Sequence, residues 1–344
     1  MNTRAVFFCG DRSRYGIAHL EAIAKHFDLR AIVIADDARW KFFRDRLAPP
    51  VLQSTTLMLS LRRQLGDWVR APRRAVGRRA HVARLRATGA PLIEAHDAND
   101  EGLITRIRAM NPEVILSAAY PQIFGRGVLD LAPRGAVNFH PSLLPRCRGA
   151  HPAYWCIASG EDRGGVTAHF MTERIDDGDI VAQRGFSIGG LYYADVYARL
   201  VSETPSLVAQ VATFLAIPDA QPVPQDQARA TMFRNERDIH RRIWWARMDG
   251  RAIYDRIRAG NAFATFRGRK VVLARATVAE RNRNMINGIM VDPGAIVDID
   301  TNGLWLATRD ATFVVVSHLR DRHRVDGFES WVARRGVCIG ERLD

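Results

Sequence analysis

The chain has 344 residues, 47% of them hydrophobic, which is enough to bury two ordinary cores, so two domains are the starting expectation. Its net charge of +13 suits a nucleic-acid or phosphate-bearing partner. Arginine outnumbers lysine so heavily, however, that genomic base composition explains the excess as well, and charge speaks to partners and solubility rather than to fold. The scattered cysteines Cys9, Cys147, Cys156 and Cys338 form no CxxC pair, which argues against both a zinc site and a disulfide framework, and no metal is expected. No apolar run has membrane-spanning length, and the apolar stretch after Met1 is too short for a signal-peptide core, so a cytoplasmic chain with no membrane partner is expected.

Ala5 to Cys9 reads as a buried strand, His19 to His26 as a helix and Ala31 to Ile34 as the next strand. Gly10 and Gly16 follow the first strand without a GxGxxG arrangement, so they read as a tight turn rather than a dinucleotide fingerprint. Nine arginines fall between Arg62 and Arg86 with Asp67 as the opposing charge. Interspersed Leu65, Trp68, Val69, Val76, Val82 and Leu85 suggest an amphipathic helix or helix pair, read as a solvated face before a phosphate-binding one. Val114–Ser117, Ala136–Phe139 and Val166–Phe170 read as further strands. Strands alternating with helical patterns give an α/β class: a Rossmann-like, mostly parallel sheet with helices on both faces, with ligands beyond the carboxyl ends of the strands.

Pro218, Pro222 and Pro224 mark a change of pattern, so the expected division is a catalytic domain over 1–217, a linker over 218–235 and a smaller domain over 236–344. Beyond a helix at Asp249–Ala259 come short, turn-separated β runs at Arg267–Ala274, Gly294–Asp300, Gly303–Thr308 and Thr312–Val316. That spacing suits a β-barrel-like (OB-like) domain. The tail beyond His318 carries no readable pattern.

The residues that carry chemistry are Asn138, His140 and, 36 positions on, Asp176. Acyl transfer to an amine needs donors aimed at a developing oxyanion and a group of near-neutral pKa to move the proton. Asn138 donates and does not titrate; His140 carries a proton; Asp176 can orient it. Singly, an Asn after a strand is usually a turn residue and a His before Pro usually structural. Together, Asn138 and His140 lie two apart on a strand and share a face. Asp177-Gly178-Asp179 is a turn signal in which Gly178 permits positive φ and the two aspartates form the turn.

Asn138-x-His140-Pro-Ser-Leu-Leu-Pro-x-x-Arg148-Gly149, then Gly165-Val166-Thr167-x-His169 and Ile175-Asp176-x-Gly178-Asp179-Ile180, resemble the folate-dependent formyltransferase superfamily. The likeness is strong over roughly residues 100 to 200 and weaker at the start. It implies 10-formyltetrahydrofolate as co-substrate and Asn138, His140 and Asp176 as the catalytic set. The pterin would lie against Gln122, Ile123 and Phe124 and against Met171, Thr172 and Glu173. Read from the residues alone, Tyr120–Phe124 serves equally as a packed turn, and Arg148-Gly149 shapes the loop after the site.

The acceptor is a choice between classes. Asp238–Trp245 and the β runs after it resemble the tRNA-holding domain of methionyl-tRNA formyltransferases, so tRNA stays open as a partner. Asp36–Phe43 stands where those enzymes would have a Gly- and Lys-rich loop, and His151-Pro152-Ala153-Tyr154-Trp155 with Val166–Met171 is more similar to sugar-directed members. A small amine, such as a nucleotide-linked amino sugar, therefore ranks first, methionyl-tRNA second and a non-catalytic nucleic-acid-binding protein third. A homodimer is left open.

Overall fold

The computed structural model describes residues 2–10, 13–35, 82–280, 285–286, 289–321 and 324–344. The expected helix pair falls outside the described residues up to His81, and Val82–Arg86 are helical with Leu85 buried. Asp36–Phe43 also lies outside them.

The chain divides into two compact units that interleave in sequence. The first takes Met1–Pro145, Gly165–Arg184 and Leu200–Ala228; the second takes Arg146–Gly164, Gly185–Arg199 and Arg229–Asp344. The proline-bearing stretch is tied into the first unit, because Val223 exchanges backbone hydrogen bonds with Ile180.

The first unit is built on a seven-stranded sheet in the order β3-β2-β1-β4-β5-β7-β8. The strands are β1 (Arg4–Cys9), β2 (Asp28–Ala35), β3 (Leu92–Ala95), β4 (Val114–Ala118), β5 (Ala136–His140), β7 (Arg163–Phe170) and β8 (Ile180–Ser187). β1 to β5 pair in parallel, and β7 joins β5 antiparallel. Ala5 to Cys9 are fully buried, as the continuous apolar run of a strand covered on both faces requires. The first helix spans Arg14–His26, five residues more than the apolar periodicity marked. Its start is set by Ser13, whose Oγ accepts from Gly16 N at 3.1 Å and so satisfies one of the unpaired N–H groups of the first turn.

In the second unit, β6 (Arg148–Gly149) pairs in parallel with β9 (Met232–Phe233). Its main sheet is antiparallel in the order β10-β11-β16-β15-β14, with β17 on β16. The ranges are β10 (Phe263–Phe266), β11 (Arg269–Glu280), β14 (Ile296–Asp300), β15 (Gly303–Ala307), β16 (Thr312–Asp321) and β17 (Arg324–Gly327), and a short pair, β12 (Met285–Ile286) with β13 (Ile289–Met290), stands apart. The final residues make the sheet barrel-like. Asp344 exchanges hydrogen bonds with Thr265 of β10, while Glu341 and Leu343 bond Ile296 and Gly294 at the β14 edge. The expected helix is present as Gly250–Ala259, capped by Asp249 on Ala252 N at 2.7 Å. The tail without a pattern forms the end of β16, β17 and a helix at Phe328–Arg335, whose Trp331 is fully buried in the core with Ile253, Ile257 and Phe266. That helix buries Phe328 and Trp331 and packs Val332 partly buried beside them, too short a stripe for periodicity to register. Among the described residues no helix is long and apolar enough to cross a membrane.

Candidate active site

The site lies in the first unit, at the carboxyl end of β5. Asn138 and His140 project from one face of that strand, and Phe139 projects from the other, where it packs against the buried His19 with ring centroids 4.5 Å apart. His19 is wholly enclosed, and burial pushes its pKa down to about 3, against a smaller opposing effect from its bond to the Tyr15 carbonyl. The loop leaving β5 is pinned by Thr167, whose hydroxyl donates to Ser142 O at 2.7 Å and accepts from Leu144 N at 3.2 Å and Gln183 Nε2 at 2.8 Å. Thr167 thus fixes how the chain departs from His140. No sequence pattern marked that role.

Antiparallel pairing sets Asn138 directly opposite His169 and His140 opposite Thr167. Cross-strand neighbours on one face approach within side-chain reach. Here Asn138 Nδ2 lies 3.3 Å from His169 Nε2. His169 is 2% exposed, and its Nδ1 lies 2.8 Å from the Phe170 carbonyl.

Asp176 comes back to this face through the turn after β7. Its own φ is +52°, so the left-handed residue of the turn is Asp176. Gly178 is needed for a different reason than the expected positive φ: a Cβ there would stand 2.0 Å from the Phe170 carbonyl oxygen. Asp177 is turn-forming as expected, accepting from Thr172 Oγ1 and Arg174 Nε, both at 2.5 Å. Gln225, nearly buried, donates from Nε2 to Asp176 O at 3.0 Å and Gly178 O at 2.7 Å and so clamps the turn from outside it.

The three expected catalytic groups therefore converge. His140 Nδ1 is 3.4 Å from Asp176 Oδ2; Asn138 Nδ2 is 3.5 Å from Asp176 Oδ1; and His169 Nε2 is 3.5 Å from that same Oδ1. The His140 and Asp176 side chains are 5% and 13% exposed. This is an enclosed carboxylate between two imidazoles, with an amide at its edge. Such a set can move a proton and present a fixed donor to a carbonyl oxygen. Among the described residues no group of three or more His, Cys, Asp or Glu has a metal-holding arrangement.

The residues expected to face a pterin behave differently from one another. Gln122 is committed at both ends of its amide, accepting from Ala98 N at 2.7 Å and donating to His96 O at 2.9 Å. Phe124 is buried against Phe8 and Tyr120, and Ile123 is half exposed. Met171, Thr172 and Glu173 line a cleft of about 350 Å³ with Arg126, Leu129 and Phe170. Arg126 pairs with Glu173 at 3.2 Å and ties the two loops together.

Comparison with known proteins gives the family. The formyl transferase family matches residues 69–209, and the formyl transferase C-terminal domain matches residues 237–333. Methionyl-tRNA formyltransferase from Anaeromyxobacter dehalogenans strain 2CP-1 is 39% identical over 197 residues, 55% of this chain and 63% of that protein. The chain thus spans somewhat under two thirds of that relative. The protein of the same description from strain 2CP-C is 32% identical over 240 residues, 68% of this chain and 75% of that protein. In fold, the N-formyltransferase of Helicobacter canadensis, solved with folinic acid and dTDP-3-aminofucose, superposes with a TM-score of 0.59 at 14% identity, covering 92% of this chain and 99% of that one. With both halves of the family matched in order and Asn138, His140 and Asp176 gathered on one face, the chain belongs to the folate-dependent formyltransferase superfamily.

Proposed function

We propose that the chain transfers a formyl group from 10-formyltetrahydrofolate to a primary amine carried by a small biosynthetic acceptor, a nucleotide-linked amino sugar. The convergence of Asn138, His140 and Asp176 carries this reading. As the amine adds to the formyl carbon, negative charge grows on the carbonyl oxygen. A fixed amide donor in a water-poor site is worth most at that moment. His140 takes the proton from the attacking nitrogen and returns it to the nitrogen that departs. Asp176, 3.4 Å away, orients the ring and offsets its charge while it carries the proton. Enclosure of His140 and Asp176 strengthens their interaction over its value in water.

For the pterin, the resemblance points to Met171, Thr172 and Glu173; the cleft of about 350 Å³ that they line reaches Gly135 and Ala136 at the amino end of β5 and takes in none of Asn138, His140 and Asp176, so its volume does not carry this assignment. Ile123 offers an exposed apolar side chain. Gln122 and Phe124, with their side chains engaged inside the protein, contribute through the backbone of their loop.

The amino-sugar acceptor is favoured by His151–Trp155 and Val166–Met171, which resemble sugar-directed members, and by Asp36–Phe43 in place of a Gly- and Lys-rich loop. Methionyl-tRNA is the second reading, favoured by the matched C-terminal domain and by the description of the relatives. The non-catalytic reading gives no reason for the three groups to meet. Incubation of the protein and 10-formyltetrahydrofolate with a dTDP-linked amino sugar and, separately, with methionyl initiator tRNA, following tetrahydrofolate release, decides among them. Turnover on the sugar nucleotide supports the first reading. Turnover confined to the charged tRNA, with binding that weakens steeply with salt, replaces it with the second. No turnover on any amine overturns both.

A further inference from the structure

His169 belongs to the site by position, yet it does none of the work assigned above. Its Nδ1 is 2.8 Å from the Phe170 carbonyl, an acceptor only, so that nitrogen carries the hydrogen. Two arrangements of the other side are self-consistent: a bare Nε2 lone pair facing an amide N–H, or a charged ring facing the amide oxygen. The position of Asp176 separates them. Its Oδ1 lies 3.5 Å from the same amide atom that faces His169, and a carboxylate oxygen there demands a donor. Asn138 therefore presents Nδ2; a second N–H on Nε2 would have Asp176 Oδ1 as an acceptor at 3.5 Å, but it would meet the amide donor against donor at 3.3 Å, and this shorter contact favours the bare lone pair.

The three distances, 3.3 Å from Asn138 Nδ2 to His169 Nε2, 3.5 Å from Nδ2 to Asp176 Oδ1 and 3.5 Å from His169 Nε2 to Asp176 Oδ1, form a nearly equilateral triangle. The two acceptors thus subtend about 60° at the amide nitrogen, whereas the two hydrogens of a planar amide are roughly 120° apart. One hydrogen enters the gap between imidazole and carboxylate, and the other is directed away from both.

We propose that His169 is a positioning residue: as the neutral Nδ1–H tautomer it holds, together with Asp176, one amide hydrogen of Asn138, so that the second is aimed at the oxygen of the formyl group. The inference rests on the formyl-transfer reading for its kinetic consequence and on the geometry alone for its tautomer. Glutamine at this position can place its carbonyl oxygen where the imidazole Nε2 stood, accept from Asn138 Nδ2 and keep the grip. Leucine fills the space and cannot.

Three measurements test this. His169→Leu should lower kcat by roughly tenfold to a hundredfold with KM little changed, the scale of a misaimed donor, while His169→Gln recovers most of the rate. In the Asn138→Ala background, His169→Leu should cost nothing further, because its effect passes through an amide no longer there. Side-chain ¹⁵N spectra of histidine-labelled protein should show His169 neutral, with its proton on Nδ1. Additive losses in the double variant, or a glutamine variant as impaired as the leucine one while folded, overturn the positioning role. A proton on Nε2 overturns the tautomer. A wild-type protein that formylates no amine sinks the proposed function instead, and the spectra then decide the tautomer by themselves.

Discussion

His140 is the residue on which the proposed chemistry turns, because its Nδ1 is committed to Asp176 at 3.4 Å and the ring is 5% exposed. A group so enclosed exchanges protons with what enters the site rather than with bulk water. His140→Ala should lower turnover at least about a hundredfold, the scale of a lost acid–base group, and Asp176→Asn should lower it less, since the amide keeps the shape of the turn and loses the charge. Steady-state kinetics on both variants checks this, and a wild-type rate for His140→Ala would remove the imidazole from the mechanism. These residues were legible because period-two alternation puts Asn138 and His140 on one face whatever the tertiary structure. His169 was visible as part of a motif and silent as to role. Its meeting with Asn138 depends on the register of β5 with β7, and register is fixed by long-range pairing that a single strand does not encode.

At the scale of the element, the turn after β7 is the least self-sufficient part of the site. It holds Asp176 at a φ of +52°, a conformation that costs a non-glycine residue of order 1 kcal/mol, and something outside the turn must hold it there. Gln225 does so, 49 positions downstream, by donating to the carbonyls of Asp176 and Gly178. Gln225→Leu would leave both acceptors under-satisfied, a penalty of ~1–3 kcal/mol. Hydrogen exchange across residues 171–179 should accelerate and kcat should fall while the remaining sheet keeps its protection. Unchanged exchange in that turn would show that Gln225 does not restrain it. The aspartate–glycine–aspartate signal announced a turn, but it placed the left-handed residue at Gly178 when the glycine answers instead to the nearby Phe170 carbonyl. The same blindness explains the barrel: its strands were legible as short, turn-separated β runs, while the closing contacts of Glu341–Asp344 come from a tail with no pattern of its own.

At the scale of the molecule, acid stability is governed in part by a group behind the site. His19 sits between Tyr15 and Phe139 in the first unit, and burial lowers its pKa from an ordinary 6.5 to about 3. The unfolded chain therefore takes up this proton below pH 6.5, and the folded chain refuses it until near pH 3. The contribution to stability is whole above pH 6.5, declines as pH falls through the interval and is gone below about 3. At ~1.36 kcal/mol per pH unit it amounts in all to roughly 4 to 5 kcal/mol, a large part of the 5–15 kcal/mol by which proteins are commonly stable. His19→Leu fills similar space and has no proton to gain. Urea unfolding of both proteins at pH 7, 5 and 4 isolates the residue, because carboxylate titrations cancel in the difference. The wild type should lose stability relative to the variant as pH falls from 6.5 to 4, by up to about 3 kcal/mol. Parallel profiles would mean that water reaches the His19 ring, and that the enclosure behind Phe139, on which the placing of Asn138 and His140 relies, is looser than its packing implies.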